Sequence, residues 1–246
     1  TGWDRNLTVD MSVAPQLEQL LMSKMLLTTS VYHHHKVRAL ESMVTTTFQM
    51  LPANEDSIKS DLLKLKQPVD FLNLTDPDFL VWGKSEPSIS GRVEAIMGRR
   101  LNKRALVLNR HSVTKQSRSR LTSLKSSLST EDSKRAACSA IFDMISPDGQ
   151  TTVEDLWIDL PNPPTIDEES TQCLVTYGSG SDPIPLAETF PTKDWVESYV
   201  ANKLTFHVFY SADIVSRQHA ADALGAYLKD AHRIELTPEA RLFAHI

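Results

Sequence analysis

SVYHHHKVRALESMVT, residues 30–45, decides how the rest of the chain is read. Within it, Tyr32, His33, His34, His35, Lys36 and Arg38 crowd into seven positions. Leu40, Met43, Val44, Phe48 and Leu51 follow at the three-and-four spacing of one apolar helix face. The spacing predicts a single helix over about 30–51, closed by Pro52. At about 100° per residue, Tyr32, His35 and Lys36 would share one side of that helix, and His34 and Arg38 another. Cationic and ring-bearing groups on several faces suit a surface that holds an anion. They do not suit a metal centre, because adjacent helical histidines point about 100° apart and three in a row cannot converge on one ion.

The chain of 246 residues has room for one large domain or two modest ones. An apolar share of 41% and a charged share of 23% are those of a soluble globular protein. With 8 Gly and 13 Pro, helices joined by defined turns are expected rather than a Gly-rich barrel. The net charge of −5 argues against a chain that binds nucleic acid as a whole. Cys138 and Cys173 sit in dissimilar surroundings and read as free thiols of a reducing, cytoplasmic compartment. No apolar run reaches the length of a membrane span and no secretory pattern opens the chain, so no membrane partner is expected. The opening TGWDRNL reads like the middle of a longer protein, with a segment expected upstream.

Outward from the central stretch, Val13, Leu17, Leu20, Leu21, Met25 and Leu27 mark a helix over about 12–28. Asn54 to Ser57 would cap a short helix, Ile58 to Lys66. Thr75 or Asp76 with Pro77 starts another, and one over about 89–101 buries Ile89, Val93 and Ile96. Ala105 to Leu108 suits a strand. From Arg99 to Arg135 there are eleven Lys or Arg against two acids, over helices expected at 113–128 and 131–144. A solvated helix face is the plain reading of that run, and phosphate binding by its first part the sharper one. Beyond the turn at Pro147-Asp148-Gly149 the pattern shifts to strands at 153–160, 172–177 and 184–186, with GSGS at 178–181 as a hairpin turn. A helix is expected at 193–202, the best strand at 204–210 and a last helix at 216–229. The expected fold is mainly α with a C-terminal α+β lobe: residues 1–104 helical, 105–246 mixed.

No HExxH, paired CxxC, GxSxG or Gly-rich phosphate loop is present. What remains is anion binding by Lys24, Tyr32, His34, His35, Lys36, Arg38, Arg99, Arg100, Lys103 and Arg104. Arg forks and Lys point charges are natural partners of a polyphosphate, and a Tyr ring can lie on a sugar or base.

VYHHHKVRALESMV resembles the VYxHxxVxxxExM signature of HD-domain phosphohydrolases of the deoxynucleoside triphosphate triphosphohydrolase type. RRLNKRALVL resembles the Arg-x-Leu-x-Lys stretch of that family, and LWIDLPNPP with PLAETFPTKDWVESYVANKLTFHVFY its C-terminal lobe. The fold this implies is the helical C-terminal part of an HD domain followed by a small mixed α/β subdomain. The resemblance covers nearly the whole chain, yet only the second half of the family pattern. It implies that Tyr32, with Lys24 where some relatives carry Arg, faces a substrate deoxynucleotide. It implies that His34 or His35, with Lys36, Arg38, Arg99 and Lys103, faces a regulatory nucleotide or phosphate at a subunit interface. The divalent metal (Mg, Mn or similar) belongs to an upstream H…HD motif; this segment supplies no metal ligand and no catalytic residue. Deoxynucleoside triphosphates, a homo-oligomer and an N-terminal HD half are the implied partners. The alternatives are a non-catalytic nucleotide-binding or oligomerisation module, and single-stranded nucleic-acid binding by the basic run.

Overall fold

The structure is a computed structural model that describes residues 8–51, 68–73, 75–145, 155–161, 173–178, 181–190, 194–195, 198–199, 205–211 and 216–240. Its elements are β1 (Thr8–Asp10), α1 (Ala14–Leu27), α2 (His35–Met50), α3 (Asp76–Ser85), α4 (Ser90–Met97) and β2 (Lys103–Leu108). They continue with α5 (Arg120–Ser127), α6 (Glu131–Ile145), β3 (Leu156–Asp159), β4 (Leu174–Thr176), β5 (Ile184–Pro185), the single turn α7 (Leu186–Thr189), β6 (Phe206–Tyr210) and α8 (Arg217–His232). The fold is mainly helical with a small α/β part, as the pattern predicts. The short helix expected at 58–66 and the turn at 147–149 lie outside the described residues. So does most of the helix expected at 193–202, of which Trp195 and Tyr199 stack at 5.7 Å.

The chain forms two compact units that cut across its linear order. One holds Thr1–His34 and Pro161–Thr205, the other His35–Leu160 and Phe206–Ile246. The sequence reading sets its boundary at residue 104, where the helical pattern gives way to a strand, among the residues of β2.

In the first unit, β4 lies between β1, which it pairs in parallel, and β5, which it pairs antiparallel. Ala14 and Leu21 of α1 bury against Val175 and Leu186. Ser179 and Gly180 of the expected GSGS turn lie outside the described residues; at its edges Gly178 takes φ 100°, and the Tyr177 N–H donates to Ser181 Oγ at 2.8 Å. Strand β1 has no counterpart in the sequence reading, because three residues are too few to show a period of two.

The second unit is built on the sheet β2-β6-β3, antiparallel throughout, with a register shift between Arg104 and Leu106. Every residue of β3 and β6 is buried, as are Ala105 to Leu108. Both faces of the sheet are therefore covered. Helix α2 touches all three strands; α6 lies on β3, α8 on β2, and these two pack on each other.

The central stretch departs from its reading in two ways. First, the helix is not continuous. The His33 N–H reaches back to the Thr28 carbonyl at 2.9 Å, an i to i−5 bond that closes a π turn over Thr28–Tyr32, and α2 starts at His35. The Thr28 hydroxyl donates to the Lys24 carbonyl at 2.9 Å, and the Thr29 hydroxyl to Met25 and Leu26 at 3.2 and 3.1 Å. Such back-bonding competes with the regular ladder and accompanies its widening. Tyr32 and His34 thus lie outside α2, and the face-sharing expected of one long helix is lost.

Second, α2 buries a different face. Its buried residues are Ala39, Ser42, Met43, Thr46 and Thr47, while Leu40 and Phe48 are exposed. Small side chains let the helix approach the sheet closely. The hydroxyls of Ser42, Thr46 and Thr47 donate to carbonyls of their own helix at 2.6–3.0 Å, so burying them leaves them satisfied.

Helix α3 begins as expected, in a capping box between Thr75 and Asp78. Helix α5 starts at Arg120 and not at 113. Val113 pairs with Leu236, and the Thr114 N–H donates to the Glu235 carbonyl, which holds Val113 and Thr114 extended ahead of a 3-10 turn at Lys115–Ser117.

Candidate anion-binding cleft

The second unit contains a cleft of ≈ 880 Å³ lined at one end by the start of α2, at another by the α4–β2 turn, and by the ends of β2 and β6 and the start of α8. Its cations are Lys36, Arg99, Lys103, Arg104 and Arg217, with His35 beside them. No Asp or Glu lines it among the described residues. Leu40, Ile96, Met97, Leu101 and Tyr210 give it apolar and aromatic wall. Cations over an apolar wall in a volume of this size suit an organic anion the size of a nucleotide.

Local structure places each cation. Helix α4 ends in a Schellman turn: the Arg100 N–H donates to the Ala95 carbonyl at 2.8 Å and the Arg99 N–H to Ile96 at 3.0 Å. Arg99 occupies the left-handed position of that turn, φ 55°, where glycine is the usual residue. Gly98 stands one position too early, with φ −77°. Strand β2 follows directly, so Lys103 faces Tyr210 and Arg104 faces Phe209 across the ladder. Ser216 caps α8, accepting from the His219 N–H at 3.3 Å, and Arg217 is the first helical residue. Lys36, Arg99 and Lys103 are exposed; Arg104 and Arg217 are half-buried. Burial first, and the neighbouring Arg217 second, pull the Arg104 guanidinium below its ordinary pKa.

Of the residues proposed from sequence, His35, Lys36, Arg99 and Lys103 meet in this cleft. Arg104, already noted as an anion ligand, joins them, and Arg100 does not line it. Arg38 is placed elsewhere. Its guanidinium donates to both carboxylate oxygens of Asp159 on β3, the Nε contact at 2.9 Å, and pairs with Glu41. Asp159 is 5% exposed, and its hydrogen bonds raise the Arg38 pKa most. Arg38 thus fastens α2 to the sheet. Arg92 does the same for α4, with Asp155 at 3.3 Å and the Thr46 hydroxyl at 3.2 Å.

Lys24, Tyr32 and His34 belong to the other unit. Tyr32 is 58% exposed in its π turn, and Lys24 lies in the last turn of α1. Tyr210 and Arg217 are cleft residues that the sequence reading missed. Pairing the strand at 105–108 with the one at 204–210 is the signal that brings them in. Among the described residues no three His, Cys, Asp or Glu come together to hold a metal ion.

Comparison with known families decides the relationship: residues 3–228 match the model of the HD associated region. The chain belongs to that family. Solved structures share the fold of this HD-associated region, two among them being the following. A hypothetical protein from Aquifex aeolicus is 17% identical with a TM-score of 0.50, over 90% of this chain and 48% of that one. A phosphohydrolase from Bacteroides thetaiotaomicron is 16% identical with a TM-score of 0.51, over 85% of this chain and 53% of that one. The chain thus spans about half the length of either. No curated protein matches it. None of the helices among the described residues is long and apolar enough to cross a membrane. Cys138 and Cys173 are both free, and burial pushes the Cys138 thiol up to about 12.

Proposed function

We propose that this region is the C-terminal portion of a metal-dependent HD phosphohydrolase that converts deoxynucleoside triphosphates to deoxynucleoside and triphosphate. Its metal ligands come from an HD motif outside this chain. Tyr32, with Lys24, contributes to the substrate pocket wall. The cleft of the second unit takes a regulatory nucleotide, and the whole acts as a homo-oligomer. The observation that carries this reading is the cleft itself: five Lys or Arg from four elements over an apolar wall, with no acid among its described lining residues. Family membership and the Bacteroides phosphohydrolase of like fold support the reaction class.

The test is metal-dependent release of triphosphate from each deoxynucleoside triphosphate by the protein carrying both this region and an HD motif. Tyr32→Ala should depress turnover. Arg99→Ala/Lys103→Ala should leave basal turnover and remove its stimulation by added nucleotide. If neither variant differs from the parent, the placement of both sites is wrong. If the parent releases no triphosphate but the cleft still binds nucleotide, a non-catalytic nucleotide-binding module is the better reading.

A further inference from the structure

The π turn that carries Tyr32 is tied from outside its own helix. Thr29 Oγ1 stands 3.0 Å from the Tyr199 hydroxyl, a contact between positions 170 apart and inside the first unit. The same Oγ1 lies 3.2 Å from the Met25 carbonyl and 3.1 Å from that of Leu26. A threonine hydroxyl has one proton and a carbonyl has none, so that proton serves the two carbonyls as a forked bond. Tyr199 is then the donor, and Thr29 accepts. Trp195 stacks on the Tyr199 ring at 5.7 Å with 27° between the planes, which restricts where the phenol points.

An α turn and a π turn compete for residues 28–33. In an α turn the Thr28 carbonyl accepts from the residue four positions on, Tyr32. Here it accepts from His33. The wider turn holds one extra residue, and one residue is about 100° of rotation about the helix axis. Tyr32 closes the π stretch, so the choice of turn decides which way its ring points. A hydroxyl that accepts a hydrogen bond donates more strongly. The Tyr199 phenol therefore strengthens the back-bonding of Thr29 that accompanies the wider turn. Thr29 and Tyr199 are both half-buried, so water competes only in part for this bond.

We propose that Tyr199 is a positioning residue for the substrate pocket: its phenol, through Thr29, holds the π turn and so sets the direction of the Tyr32 ring toward a bound deoxynucleotide. Tyr199 acts through Tyr32 and does not touch the ligand. This inference rests on the reading of Tyr32 as pocket wall. It adds the residue that fixes that wall, from the far end of the chain.

Two measurements separate the tie from the reaction it serves. The first is amide hydrogen exchange of the whole chain for the parent, Tyr199→Phe, Thr29→Val and Thr29→Ser. Tyr199→Phe keeps the ring beside Trp195 and removes only the hydroxyl. The His33 amide, which closes the π turn, should exchange about three- to ten-fold faster in Tyr199→Phe and Thr29→Val, the effect of one neutral hydrogen bond. Thr29→Ser restores the hydroxyl and should recover most of what Thr29→Val loses. The Leu17 and Leu21 amides, earlier in α1, should not change and report that the helix is intact. The second measurement is triphosphate release by the protein carrying both this region and an HD motif. Tyr199→Phe should lower kcat/KM about three- to ten-fold in the parent, and by less than about two-fold in a Tyr32→Ala background, because both changes act through one ring. Unchanged His33 exchange in Tyr199→Phe overturns the tie. Faster exchange with equal kinetic losses in both backgrounds overturns the positioning of Tyr32. Absence of triphosphate release by the parent overturns the hydrolase reading and the role of Tyr199 in it, while the exchange result still decides the tie.

Discussion

Arg99→Gly should make the protein more stable and its cleft weaker. Arg99 holds φ 55° at the position of the Schellman turn that glycine normally fills. A side chain in the left-handed region costs about 1–2 kcal/mol. Glycine removes that cost but widens the unfolded ensemble by about 0.4–1 kcal/mol. The net gain is about 0.5–1 kcal/mol, or roughly 1–4 °C in Tm for a chain of this size. The same change removes an exposed rim cation, worth about 0.5–1 kcal/mol to a bound anion, a factor of roughly two to five in Kd. Arg99→Ala separates the two effects. It loses the same cation and keeps a Cβ in the strained position, so its Kd should match that of Arg99→Gly while its Tm does not rise. Thermal unfolding by circular dichroism and titration with a nucleoside triphosphate measure both. The reasoning fails if Arg99→Gly melts at or below Arg99→Ala, or if glycine leaves the affinity unchanged.

Arg38→Leu leaves Asp159 buried without its bidentate partner and should cost about 3–5 kcal/mol in urea unfolding. Arg38→Leu/Asp159→Leu should recover most of that loss, as buried pairs often exchange for apolar residues at little cost. Gly83→Ala should destabilise by about 1–3 kcal/mol, because a Cβ there stands 2.8 Å from Val93 Cγ2 between α3 and α4. Burial lowers the His232 pKa below its ordinary value, so the folded state binds its proton later than the unfolded chain. Stability is full above the unfolded value of about 6.5 and falls as pH drops below it. His232→Asn should flatten that part of the curve relative to the parent. Cys138, buried with its thiol pushed up to about 12, should resist iodoacetamide at neutral pH until the protein is unfolded.

The cations of the cleft were legible where they were close in sequence. Arg99, Lys103 and Arg104 share one turn and one strand, and His35 and Lys36 open one helix. Arg217 lies more than a hundred positions away and enters through the pairing of β2 with β6, which no local period encodes. Arg38 reads as one more cation beside His35 and Lys36. Its partner Asp159 looks like the polar side of a half-buried strand until the sheet is seen to be covered on both faces. The buried face of α2 was hidden for a related reason. Ser42, Thr46 and Thr47 count as polar in any apolar pattern, yet their hydroxyls are satisfied within the helix. The π turn at Thr28–Tyr32 interrupts what the pattern shows as unbroken, because a single extra residue in a turn scarcely disturbs a 3.6 period.

Backbone amide shifts of the labelled chain on addition of deoxyguanosine triphosphate, without metal, test the central claim most directly. The account predicts saturable shifts clustered at residues 35–37, 99–104 and 209–217, lost in Arg99→Ala/Lys103→Ala. Saturable shifts confined to other segments, or none up to millimolar nucleotide, would contradict it.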